Sequence, residues 1–283
     1  MVSNKKKQVL VTKASGELQE FDEEKLVRSL LQAGADGNIA AQIKKDIRSW
    51  LTDGISTQKI YSRAFQLLRK KKTVAAMRYR LKKAMFDLGP SGYPFEQLAG
   101  QLFVAQGYVV SVGEIVRGVC VSHEMDVIAT KGITQHLIEC KYSQDHGKNI
   151  SIQTPLYVKA RVDDIVAARK GDPQFKSFRF KGWLVTNTRF STDSVDYAEC
   201  VGLQLLSWDY PVNKGIKDLI TQYHIFPITI LQHLSLREKR WLMEQEIITC
   251  QQLYMQTEAL HEFHLTTGKM QGLMQELQTI CES

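Results

Sequence analysis

No two cysteines in this 283-residue sequence stand in a Cys-x-x-Cys pair. The five that occur, Cys120, Cys140, Cys200, Cys250 and Cys281, are scattered. That argues against a structural zinc site and against a secreted disulfide scaffold. No apolar run approaches the roughly 20 residues of a membrane span. Lys5, Lys6 and Lys7 precede only the short strand-like Val9-Leu10-Val11, which is no signal peptide. The expectation is a soluble, cytoplasmic protein with no membrane partner. Long low-complexity tracts are also missing, and an apolar share of 43% is enough for packed cores. A net charge of +7 favours a polyanionic partner without proving one.

Against that background Glu139-Cys140-Lys141 carries the most information. Residues 136–142 read as a strand, in which positions i and i+2 share a face, so Glu139 and Lys141 project together. Val119 to Ala129 reads as the preceding strand, joined through the turn-like Lys131-Gly132, which sets Asp126 opposite. A carboxylate pair suits Mg²⁺ (or Mn²⁺), which takes oxygen ligands and keeps several waters. Glu96, upstream, is a further carboxylate that can join such a site. Taken singly, Glu139 and Lys141 would be an ordinary surface ion pair, and Glu96 a helix-start acid. The apolar flanks Val127, Leu137 and Ile138 imply a buried sheet, and the joint pattern points to metal-dependent phosphodiester hydrolysis.

The first 88 residues have their own organisation. Two short strands around the turn at Ser15-Gly16 precede four helices, starting near Asp22, Ala40, Ser56 or Thr57, and Thr73. Val11-Thr12-Lys13-Ala14-Ser15-Gly16, Phe21-Asp22-Glu23-Glu24-Lys25-Leu26, Asp53-Gly54-Ile55-Ser56-Thr57 and Ala76-Met77-Arg78-Tyr79-Arg80 together resemble an ATP-cone, over residues 8–88. That is the nucleotide-sensing domain of ribonucleotide reductases and of the repressors of their genes. The resemblance implies regulatory binding of ATP or dATP, with Lys13 and Lys25 at the phosphates and Thr57 at the base or sugar. Ammonium groups suit that task as point charges. Where the family has Lys-Arg-Asp-Gly, this chain has Lys13-Ala14-Ser15-Gly16.

Gly89-Pro90-Ser91-Gly92 breaks the chain. Beyond it the order is helix, three strands, helix, strand, helix, strand, a mixed α/β sheet covered by helices. Phe95-Glu96, Gly107-Tyr108, His123-Glu124-Met125-Asp126-Val127, Glu139-Cys140-Lys141-Tyr142 and Val185-Thr186-Asn187 resemble the PD-(D/E)XK nucleases, and within them the Mrr-like restriction endonucleases. That resemblance implies metal ligation by Asp126, Glu139 and the carbonyl of Cys140. Lys141 would position or help deprotonate the attacking water, and Glu96 would join from the first helix. Glu124 stands where the family has a small glycine-containing turn, and is a further candidate acid.

Between Arg69 and Lys83 lie eight basic residues and no acidic one. Arg78, Arg80, Lys82 and Lys83 are candidate contacts to a DNA backbone, although a solvated helix face explains them equally well. Residues 233–283 read as a small helical domain, expected to be a packing or dimerisation appendage. The whole predicts an ATP-cone-like domain at 8–88, a nuclease core at 90–232 and the helical domain at 233–283. The expected function is Mg²⁺-dependent DNA endonuclease activity regulated by ATP or dATP, in a homo-oligomer, with a role in restriction or phage defence. The rival readings are a nucleotide-responsive DNA-binding regulator with an inactive nuclease fold, and an RNA-directed nuclease.

Overall fold

The structure, a computed structural model, describes residues 9–13 and 16–282. Ala14 and Ser15 of the nucleotide-loop reading, and Lys5 to Lys7, lie outside them. The fold divides into two compact units, one ending at Lys82 and one of Lys83–Glu282.

In the first unit, β1 (Leu10–Thr12) pairs antiparallel with β2 (Leu18–Glu20). On its other side it pairs in parallel with β3 (Ile55–Ser56). Two residues are too few to show a period, so β3 is invisible to pattern reading. Side-chain caps start the helices. Asp22 accepts from Lys25 N at 2.8 Å ahead of α1 (Glu23–Gln32). Asp36 does the same for Ile39 N, so α2 (Gly37–Trp50) begins three residues before the predicted Ala40. Ser56 caps α3 (Thr57–Arg69). Leu30, Ile43, Ile47 and Leu68 are fully buried between these helices.

Half of the basic run, Arg78, Arg80, Lys82 and Lys83, lies on the packed helix α4 (Thr73–Phe86), whereas Arg69 ends α3 and Lys70, Lys71 and Lys72 fall in the exposed turn between the two. Ala75, Ala76, Met77, Leu81, Ala84, Met85 and Phe86 are all buried. Arg78 and Arg80 are half-buried, with the Arg80 guanidinium 5.9 Å from the Phe65 ring. Lys82 and Lys83 are exposed, and Lys83 pairs with Asp87 at 3.4 Å.

The second unit holds a five-stranded sheet of order β10 (Gln204–Leu206), β8 (Arg179–Thr186), β6 (Thr134–Lys141), β5 (Ser122–Lys131) and β4 (Val109–Arg117). After α5 (Tyr93–Val104), β4 (Val109–Arg117), β5 (Ser122–Lys131) and β6 (Thr134–Lys141) form an antiparallel meander. The next two strands add in parallel, which requires a crossover each. α6 (Gln153–Lys170) leads to β8 (Arg179–Thr186), and α7 (Thr192–Val201) leads to β10 (Gln204–Leu206). A two-residue pair, β7 (Asn149–Ile150) with β9 (Arg189–Phe190), lies outside the main sheet.

Strand alternation assigns the faces of β6. Leu137 packs with Val158, Val162 and Ile165 of α6, whereas His136 meets Phe103 of α5 edge-to-face at 5.7 Å. α5 approaches the sheet closely at Gly100, where a Cβ would lie 3.2 Å from Val110. The remaining helices, α8 (Ile216–Tyr223), α9 (Leu236–Glu244), α10 (Cys250–Met255) and α11 (Thr267–Cys281), complete the unit. Thr229 Oγ1 donates to the Ala84 carbonyl at 2.7 Å, and the Tyr93 hydroxyl to Glu246 at 2.5 Å. Among the described residues no helix is long and apolar enough to cross a membrane.

Candidate active site

β5 is loosened on both sides at one residue, Asp126. The β4–β5 register passes from Val112↔Val127 to Glu114↔Met125 and skips the pair between them, where Gly113 has φ +71°. Pairing of β5 with β6 ends at Val127↔Ile138. β6 continues along β8 through Glu139↔Leu184, Cys140↔Val185 and Lys141↔Thr186. The two strands therefore part at Asp126 and Glu139, and the Asp126 carboxylate takes the place of a ladder partner. Its Oδ2 accepts from Cys140 N at 2.7 Å.

On the α6 face of β6, Glu139 and Lys141 stand together as the period of two requires, with Lys141 Nζ 2.6 Å from Glu139 Oε1. Glu139 is only 2% exposed. Arg161, from α6, donates to its other oxygen, Oε2, at 2.5 Å. Tyr157, one turn before Arg161, presents its ring 5.7 Å from both the Lys141 ammonium and the Arg161 guanidinium. From sequence Arg161 is one of four basic residues, with Lys159, Lys170 and Lys176, that could line a DNA cleft, and neither it nor Tyr157 is placed at the carboxylates. Their spacing of four on a helix following the Glu-x-Lys strand is the one signal that could have found them.

Two of the carboxylates hold their protons more tightly than usual, first through burial and then through their neighbours. Glu96, in the first turn of α5, is pushed up from 4.5 to about 7 by burial, with Asp126, Glu124 and Glu139 adding to it. The favourable helix N-terminus is outweighed. Asp126 rises from 3.8 to about 6 through burial and then through Glu139, against the Cys140 N–H and the two cations. Burial disfavours the Lys141 cation, but the bond to Glu139 prevails and pushes its pKa upward. Lys141 therefore stays protonated as placed, which fits positioning and charge stabilisation rather than the deprotonation considered from sequence. The Cys140 thiol is buried and pushed far up, so its contribution is through the backbone.

A folded-state pKa above the ordinary value means the folded state holds more protons between the two values. Stability therefore falls as pH rises through that window. In EDTA, Glu96→Gln is expected to gain on wild type between about pH 4.5 and 7, by on the order of 2 kcal/mol. Calorimetric melting at pH 4.5, 6 and 8 measures this; a constant difference would mean that neither burial nor the other carboxylates raise the proton affinity of Glu96.

Just beyond Lys141 the backbone is clamped from β8. Thr186 Oγ1 donates to the Lys141 carbonyl at 2.7 Å. Asn187, 1% exposed, accepts from Ser143 N at 2.9 Å and donates to Ser143 O at 2.7 Å. Asn187→Ala leaves both backbone groups without those partners. A loss of about 2–3 kcal/mol is expected in urea unfolding, and a loss under 0.5 kcal/mol would show that water replaces the clamp.

The other candidates are distributed differently. Glu124 is exposed, and its backbone carbonyl accepts from Arg161 at 3.2 Å. His123 pairs with Asp164 at 2.7 Å, and His146 stacks on Phe86. In the first unit, Lys13 and Thr57 follow the adjacent parallel strand ends Thr12 and Ser56, so the fold brings them to one edge. Lys13 is paired with Glu17 at 3.1 Å. Lys25 stands on α1, which leaves from the opposite end of β1.

Residues 9–85 match the ATP cone domain and residues 226–281 the AF1548-like C-terminal region. An uncharacterised protein of Archaeoglobus fulgidus is 35% identical over 136 residues, 47% of this chain and 70% of that protein. The chain belongs to the same family as this archaeal protein. The crystal structure of AF1548, a protein of unknown function, superposes with a TM-score of 0.55 at 27% identity. That match covers 68% of this chain and the whole of AF1548. The MspJI restriction endonuclease bound to a 27-mer oligonucleotide matches at a TM-score of 0.29 and 15% identity, over 59% of this chain and 40% of its own. That likeness is too slight to argue from. The first unit of this family member is thus an ATP-cone domain, and its second a mixed α/β sheet flanked by helices.

Proposed function

We propose that the second unit is a metal-dependent nuclease acting on DNA, and that ATP or dATP bound by the ATP-cone regulates it. The observation that carries this reading is the parting of β5 and β6 at Asp126 and Glu139, with Lys141 beside Glu139. A structural ion pair needs no break in the sheet and no third and fourth carboxylate next to it.

The donor set fits a hard divalent cation. Glu96 and Asp126 both bind protons more tightly than usual, first because burial disfavours their ionised forms and then because neighbouring carboxylates add to it, and a cation would relieve both. Among the described residues no group of three or more His, Cys, Asp and Glu side chains is assembled for a metal. Two carboxylates, a carbonyl and waters are a different arrangement, and one that Mg²⁺ accepts. Asp126, Glu139 and the Cys140 carbonyl would hold the ion. A bound Mg²⁺ or Mn²⁺ supplies an activated water and neutralises charge developing on the phosphate. Lys141 Nζ, protonated, orients that water and stabilises the same charge. Glu96, whose proton affinity lies near neutrality, takes up a proton at its carboxylate.

Cleavage of supercoiled plasmid with Mg²⁺, with and without ATP or dATP, tests the reading beside an Asp126→Asn control. Cleavage lost in the variant and altered by nucleotide is the expected result. Wild type and variant equally inert on DNA and RNA, yet both binding DNA, would favour the regulator. Glu139, already neutralised by two cations, is the feature that speaks for that rival.

A further inference from the structure

Both oxygens of the buried Glu139 carboxylate are committed to cations, Oε1 to Lys141 at 2.6 Å and Oε2 to Arg161 at 2.5 Å. The two cations differ in origin. Lys141 shares a strand with Glu139, so its position follows from the pleat. Arg161 reaches across from α6, also donating to the Glu124 carbonyl at 3.2 Å, with 28% of its side chain still open to solvent. A guanidinium cannot shed its proton to make way for another cation. It yields a carboxylate oxygen only by moving, and its partial exposure leaves it a route.

We propose that Arg161 is a stand-in cation, which neutralises Glu139 while no divalent ion is bound and competes with that ion for Oε2. The proposal rests on the metal-site reading above. Geometry supports competition rather than assistance: Oε2 already accepts from the guanidinium, so an ion that takes that oxygen must displace it, and an ion arriving while Arg161 stays is repelled at a few ångströms in a partly buried site. Arg161 thereby sets the metal concentration at which the site fills, and it holds the Glu139 rotamer until then.

Binding of Mn²⁺ at pH 8, followed by loss of the free-ion EPR signal, tests this on the full chain. Arg161→Gln is expected to bind Mn²⁺ roughly tenfold tighter than wild type, and Arg161→Lys to stay close to wild type. In thermal melts Arg161→Gln should be less stable in EDTA and gain more from Mn²⁺. Equal or weaker Mn²⁺ binding by a folded Arg161→Gln overturns the competition while leaving the metal site intact. Absence of Mn²⁺ binding by wild type and Arg161→Gln alike overturns the metal-site reading itself. A second measurement does not depend on that variant folding. The Arg161 side-chain Nε–H resonance of the wild-type protein, assigned by its loss in Arg161→Lys, should shift as diamagnetic Mg²⁺ is added. A resonance that does not move while the site fills also overturns the proposal.

Discussion

Replacing Asp126 by asparagine is expected to lower Mg²⁺-dependent cleavage by on the order of 10³-fold while leaving the fold in place. Asparagine keeps an oxygen that can accept from Cys140 N, so the bond that bridges the parted strands survives. What disappears is the charge. Charge stabilisation by a bound metal amounts to several kcal/mol at the transition state, and each 1.36 kcal/mol is a factor of ten. A loss of about 4 kcal/mol therefore gives about 10³ in kcat/KM. Initial rates on supercoiled plasmid measure this, with circular dichroism and urea unfolding of the same preparation as the fold control. In EDTA at pH 8 the variant should melt at or above the wild-type temperature, because burial, and then Glu139, raise the cost of ionising Asp126. A stable variant that still cuts would remove Asp126 from the chemistry.

How much of this was legible in the sequence depended on the range of the interaction. β6 was readable because a short run around the apolar Leu137 and Ile138 reads as a buried strand, and the pleat then puts Glu139 and Lys141 on one face. The turn at Lys131-Gly132 then brought the preceding strand alongside, which is why Asp126 fell opposite Glu139. The third helix of the order predicted beyond Gly92, α7, is bounded by local signals, because Ser191 caps it and Gly202, at φ +71°, ends it in a left-handed turn. The strand reading that began at Val119 was long by three residues. Asp164 of α6 accepts from Cys120 N and Val121 N and holds that loop out of the ladder. Arg161 was out of reach for the same kind of reason. On an 18-residue helix with charges throughout, nothing local distinguishes the arginine that the crossover turns toward Glu139. Nor does any pattern in Arg69–Lys83 show that α4 is packed over most of its length. Six of the eight basic residues are indeed exposed, and what the run hides is that the apolar positions between those on α4 are buried.

Lys141 separates two mechanisms that the sequence leaves together. As a general base it would have to be neutral, but its bond to Glu139 pushes its pKa up and keeps the ammonium charged. The expected role is therefore a fixed positive charge near the scissile phosphate and its water. Lys141→Met should lower kcat by roughly 10²–10³-fold, the usual effect of removing one preorganised donor. KM should move much less, because the charge is needed where negative charge develops. Lys141→Arg keeps the charge and should retain a tenth or more of kcat, provided Tyr157 leaves room for the larger head group. The pH profile gives the sharper contrast. A neutral lysine base would add a rising limb near its own pKa and would leave Lys141→Arg as inert as Lys141→Met. A fixed cation adds no such limb, and the two variants should differ at every pH. Because Arg161 still neutralises Glu139 in Lys141→Met, the variant should fold, and its defect should reside in turnover.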